Sequence, residues 1–159
     1  MKFMKKIILI IISALFLFTA CDYKNTCLSI ITSELGLITD SVFIEINGTK
    51  LSAAKIPLHT NINMVFKGID GFSENNGLIN LGASTTVKDS SDQIIYHIAD
   101  IFFDIDKDGV DYFLIKNQLV LTLPPSSLFR PNSCYFWENI IWDKNGPGKI
   151  KTKVLICYE

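Results

Sequence analysis

Three groups of residues have types and spacings that could do chemistry. Asp104-Ile105-Asp106-Lys107-Asp108-Gly109 alternates carboxylates ahead of a glycine. A loop turning at Gly109 can aim Asp104, Asp106 and Asp108 at one point, which supplies the hard oxygen donors a calcium ion requires. The Val110 carbonyl is a fourth candidate donor, and Asp111 another if the loop curls further. The same segment also suits a solvated acidic turn between strands. Tyr135, Phe136, Trp137 and Trp142 form an aromatic cluster, and exposed rings offer flat apolar faces on which sugars stack. Catalytic groupings are scarce. The two histidines, His59 and His97, lie outside any nucleophile motif, and Gly82-Ala83-Ser84 is not a nucleophile elbow. No metal-protease helix, phosphate loop or dinucleotide fingerprint occurs. The expectation is therefore a protein that binds and does not catalyse.

The elements that must position these residues read as β-strands. Val42–Ile46 is a strand, and Asn47-Gly48 after it favours a type I′ hairpin turn into Thr49-Lys50-Leu51. Asn61–Lys67 alternates, with Ile62, Met64 and Phe66 on one side. Leu78–Val87, Gln93–Ile98 and Leu119–Leu123 are further strand candidates, the last stopped by Pro124-Pro125. Residues 68–77 form a loop rich in Gly and Asn. No stretch of the mature chain shows the periodicity of a long helix.

The C-terminus has the clearest local geometry. Cys134–Asp143 and Lys149–Tyr158 flank Lys144-Asn145-Gly146-Pro147-Gly148, a strong turn signal. Centring the turn on Asn145-Gly146 opposes Glu138 to Lys153, Trp137 to Val154 and Ile141 to Ile150, three favourable pairs in one register. That register sets Cys134 opposite Cys157, so a disulfide between them is expected. It also turns Tyr135 and Trp137 inward and leaves Phe136, Ile140 and Trp142 on the other face, a candidate partner surface.

The first 21 residues carry the most specific signal. Lys2, Lys5 and Lys6 precede an apolar run from Ile7 to Phe18, broken only by Ser13. That run is shorter than the roughly 20 residues of a spanning helix and suits a cleaved export signal. Leu17-Phe18-Thr19-Ala20-Cys21 resembles the lipobox of bacterial lipoproteins, departing from it at Phe18, where Leu is usual. The resemblance implies cleavage before Cys21 and acylation of its sulfur and new amino terminus. Two or three acyl chains anchor a protein stably, whereas one does not. Residues 1–20 are then the signal peptide, 21–26 a lipidated Cys and short tether, and 27–159 the folded domain. A tether of that length reaches at most roughly 20 Å. It places the domain in a bacterial cell envelope, held against its membrane; inner and outer membrane both stay open.

The strand pattern resembles the immunoglobulin-like sandwiches of small bacterial surface and periplasmic lipoproteins, although the Cys-Trp-Cys spacing of antibody domains is missing. The expected fold is all-β: an immunoglobulin-like antiparallel sandwich of about seven strands. The Asp104 segment resembles the start of EF-hand-type calcium loops, but Ile115 stands where the bidentate Glu belongs. Composition narrows the function further. The chain has 159 residues and a net charge of −1; a leader carrying three lysines and no acid leaves a domain of charge −4. A mildly acidic body without clustered Lys and Arg argues against nucleic acid. The expected function is a membrane-anchored envelope lipoprotein acting as a binding or assembly module with a protein partner. The alternatives are a calcium-stabilised module that binds carbohydrate or another surface, and an envelope enzyme.

Overall fold

The computed structural model describes residues 28–105 and 109–159. The leader, Cys21, Cys27, Asp106 and Asp108 lie outside the described residues. The described chain is an antiparallel β-sandwich. Its larger sheet has the order β1 (Ile30–Leu35), β12 (Lys149–Tyr158), β11 (Ser133–Asp143), β7 (Leu81–Lys88), β8 (Ile94–Ile98). The two-residue β4 (Lys55–Ile56) runs parallel to the end of β12. The facing sheet has the order β10 (Leu119–Leu123), β5 (Ile62–Lys67), β2 (Ser41–Ile46), β3 (Thr49–Lys50). A ribbon of β6 (Leu78–Ile79) and β9 (Val110–Asp111) leads into α1 (Tyr112–Asn117). Short strands thus accompany the long ones expected.

The C-terminal hairpin forms in the expected register: Glu138 faces Lys153, Trp137 faces Val154 and Ile141 faces Ile150. Alternation along β11 and β12 buries Tyr135, Trp137, Ile141, Ile150, Val154 and Ile156. From the facing sheet come Ile44, Ile62, Met64, Phe66, Leu121 and Leu123, all buried. Trp137 is the largest fully buried side chain, and its indole N–H donates to Thr85 Oγ1 at 2.7 Å. Burying Trp in a core is favourable only when that N–H finds a partner. Asn139 and Thr152, side by side in the register, both donate to the Met64 sulfur, at 3.3 and 3.1 Å.

The Asn47-Gly48 turn carries positive φ at both residues, 50° and 76°, as a type I′ hairpin demands. One expectation needs correction. The strand expected over Leu78–Val87 is divided at Asn80, whose carbonyl accepts the Lys144 amide at 2.9 Å; Leu78 and Ile79 leave the sheet to pair with β9. The first strand among the described residues, β1, starts at Ile30.

Candidate functional site

Alternation that fills the core from one side of β11 and β12 presents the opposite set outward. The register then sorts the outer face of the larger sheet into rows. Leu35, Lys149, Trp142 and Gly82 lie across the first, and Ser33, Lys151, Ile140 and Ser84 across the second. Ile31, Lys153, Glu138, Thr86 and His97 make the third. Leu155, Phe136 and Lys88 follow, and Cys157 with Cys134 closes the series. Phe136, Ile140 and Trp142 are thus brought to one face, each half-buried, beside a column of lysines. On the edge strand of this face Ile31 and Leu35 are 66% and 67% exposed.

Local packing makes the rings lie down on the sheet. Trp142 occupies the space above Gly82 on β7, where a Cβ would sit 2.5 Å from its Nε1 and closer still to Cε2 and Cζ2. The Lys153 ammonium lies 4.5 Å from the Phe136 ring centre, a favourable cation–π approach. The same ammonium binds Glu138 Oε1 at 2.8 Å, while Lys88 reaches Glu138 Oε2 at 3.7 Å and Asp92 at 3.3 Å. The Asp92 hydrogen bond, with the nearby Glu138 charge, holds Lys88 above the usual lysine range. Glu138 is therefore matched by two cations. Lys149 and Lys151 make no ion pair among the described residues.

Two depressions open on the face. A cleft of about 510 Å³ at the hairpin end is lined by Trp142, Ile140, Ser84, Ala99, Gly146 and Lys149. Its lining also includes Asp143, a buried carboxylate that accepts the Ser73 and Asn145 amides at 2.7 and 2.9 Å. Nearby, Asp100 binds Lys144 at 2.6 Å. Partial burial pushes Asp100 upward, but Lys144 and the Phe102 and Ala83 amides outweigh it, and its carboxyl stays below the ordinary range. A second, smaller depression of about 290 Å³ shares Ile140 and adds Ser33, Lys151 and Lys153.

The other expected residues are placed as follows. Cys134 and Cys157 are joined in a disulfide with Cα atoms 4.0 Å apart. Asp104 sits exposed in a single 3₁₀ turn, Phe103–Ile105. Asp111 caps α1, accepting the Phe113 and Leu114 amides at 2.8 and 3.4 Å, and is committed there. His59 is exposed in a turn at φ 63°. His97 Nδ1 lies 2.9 Å from Thr86 Oγ1, yet no third group orients that imidazole among the described residues.

One cluster escaped the sequence reading. Asp70 takes hydrogen bonds from the Tyr112 hydroxyl, from Lys116 Nζ at 2.5 Å and from the Gly71 amide at 2.7 Å. The Lys116 bond foremost, then Tyr112, draws the Asp70 carboxyl down to about 2. The cluster straps α1 to the loop that follows β5. Its members are 42 and 46 residues apart, so no local spacing could reveal it.

No family model matches the chain, and no curated protein matches it in sequence. Among solved structures it is similar to the C-terminal domain of wzt, with a TM-score of 0.56 and 8% identity, covering 82% of this chain and 78% of that one. At that identity the likeness concerns fold alone.

Proposed function

We propose that this chain is a lipid-anchored, non-catalytic binding module of a bacterial cell envelope, and that it works through the outer face of its larger sheet. The observation that carries the reading is that face: half-buried Phe136, Ile140 and Trp142 beside Lys149 and Lys151, with Ile31 and Leu35 exposed on its edge strand. A sheet face that is both apolar and cationic is costly to leave wet unless something docks there. The anchor is supported by the lipobox resemblance at Leu17–Cys21. Leu28 lies seven positions after Cys21, at most roughly 25 Å of chain, which keeps the module beside its membrane. Ligands are then met at the bilayer surface and not across the envelope.

A labelling experiment tests the reading. In a Cys27→Ser background, a cysteine is placed at exposed Ser33 on the outer face (Ser33→Cys) or at exposed Lys50 on the other sheet (Lys50→Cys). The reading expects Ser33→Cys to be shielded from a maleimide in native membranes and reactive after purification in detergent. Lys50→Cys should react in both. Equal reactivity of Ser33→Cys in the two states would overturn the proposal.

A further inference from the structure

We infer that the occupant of this face is an acidic saccharide, with a sugar ring seated on Trp142 and its carboxylates held by Lys149 and Lys151; this rests on the face being the binding surface. Three observations converge. First, the open cleft at Trp142 has a volume of about 510 Å³, within the size range of sites that take small ligands. It combines an indole and Ile140 with the Ser84 hydroxyl and the Lys149 ammonium, the pairing of flat apolar surface and few polar groups that a pyranose ring presents in complement. Second, charge is concentrated. Lys88, Lys149, Lys151 and Lys153 stand in the rows of this face with one carboxylate, Glu138, although the whole chain carries −1; Asp92 pairs with Lys88 at the rim, and buried Asp143 on the cleft lining is held by the Ser73 and Asn145 amides. Since Glu138 is already matched twice, Lys149 and Lys151 are the charges left to recruit an anion. Third, their spacing suits a chain molecule. Alternate residues of a strand repeat at about 6.8 Å, so the two ammoniums make a short ladder beside Trp142 and Ile140, leading into the second depression at Ser33 and Lys151.

The competing occupants fit less well. A peptide joining by strand addition needs free backbone groups, and this face offers only side chains above paired strands. A bilayer is entered by protruding apolar side chains; at the centre of this face Trp142 lies over Gly82 and Phe136 lies under Lys153, and it is Ile31 and Leu35 on the edge strand that stand exposed.

The test uses the full chain in phosphatidylcholine nanodiscs, with a galacturonate hexamer, its fully methyl-esterified counterpart, and phosphatidylglycerol nanodiscs without saccharide. Trp137 is fully buried, so ligand-induced fluorescence change reports Trp142, and calorimetry gives affinities independently. The acidic hexamer should bind, with affinity falling as salt rises. The ester should bind weaker on the order of tenfold, and the acid should lose about as much in Lys149→Gln/Lys151→Gln and in Trp142→Ala. Phe43→Ala on the opposite sheet should leave affinity unchanged. Equal binding of acid and ester, no binding of the acid at millimolar concentration, or a Trp142 response to phosphatidylglycerol alone would each overturn the inference. If position 33 is shielded in membranes while the acidic hexamer does not bind, the ligand class falls and the binding face stands. If position 33 is not shielded, the functional reading itself falls.

Discussion

Gly82→Ala is a one-carbon perturbation aimed at the seat of Trp142. The backbone at Gly82 is not in the left-handed region, so alanine is conformationally acceptable. Restricting the unfolded chain alone would stabilise the fold by about 0.4–1 kcal/mol. Against this, the new Cβ would stand 2.5 Å from the indole Nε1 where ordinary contact is 3.4–4 Å. The ring must therefore move by roughly 1 Å or more, and overpacking of this kind costs about 1–3 kcal/mol. Trp142 is half-buried on an open face and can swing toward solvent, which places the cost at the low end. The net loss of stability should be at most about 1–2 kcal/mol. Thermal unfolding measures that loss, and acrylamide quenching measures the ring. Trp137, fully buried and bonded to Thr85, should stay protected, while the Trp142 fraction becomes more quenchable and ligand affinity falls. Unchanged quenching with unchanged stability would refute the claim that the indole rests on Gly82.

Other expectations follow from the same geometry. Removing the Cys134–Cys157 bridge with Cys134→Ser/Cys157→Ser opens a loop with sequence separation 23; chemical denaturation should show a loss of about 3 kcal/mol, and a loss near zero would contradict the chain-entropy argument. Asp70, its pKa drawn down to about 2 by Lys116 and Tyr112, contributes stability above the unfolded carboxylate value near 3.9 and loses it as pH falls through about 2. Because the pair is roughly half exposed (47% and 44%), Asp70→Asn should cost at most about 1 kcal/mol at neutral pH, and its melting temperature should fall less than that of the native chain between pH 4 and 2. Cys21→Ser should move the protein out of the detergent fraction and abolish palmitate labelling; labelling that survives would refute lipidation at Cys21.

The parts of the fold legible in the sequence are those governed by neighbours along the chain. The hairpin of β11 and β12 was readable because a Gly-Pro-Gly turn pins two long alternating strands, and Glu138, Trp137 and Ile141 all choose the same partners. That register alone placed Phe136, Ile140 and Trp142 on the outer face. What it could not give was the cleft, since Ser84 and Ala99 come from β7 and the segment after β8, placed beside β11 by long-range pairing. Gly82 looks like any strand glycine until Trp142 is found above it. The break at Asn80 was hidden because residues on both sides favour strand equally, and it shows only in the long-range pairing of Leu78 and Ile79 with β9. The helix α1 has only six residues, too few for periodicity to register, and depends on Asp111 as its cap.

The account turns on whether the outer face is occupied where the protein works, and site-specific photocrosslinking reads this directly. A benzophenone amino acid replaces Phe136 on that face or, as control, Phe43 on the opposite sheet, a half-buried ring likewise approached by lysines, Lys50 and Lys67. Irradiation of intact membranes should give a carbohydrate-positive adduct from position 136, competed by soluble galacturonate hexamer, and none from position 43. Absence of an adduct at position 136, or equal adducts at both positions, would contradict the account.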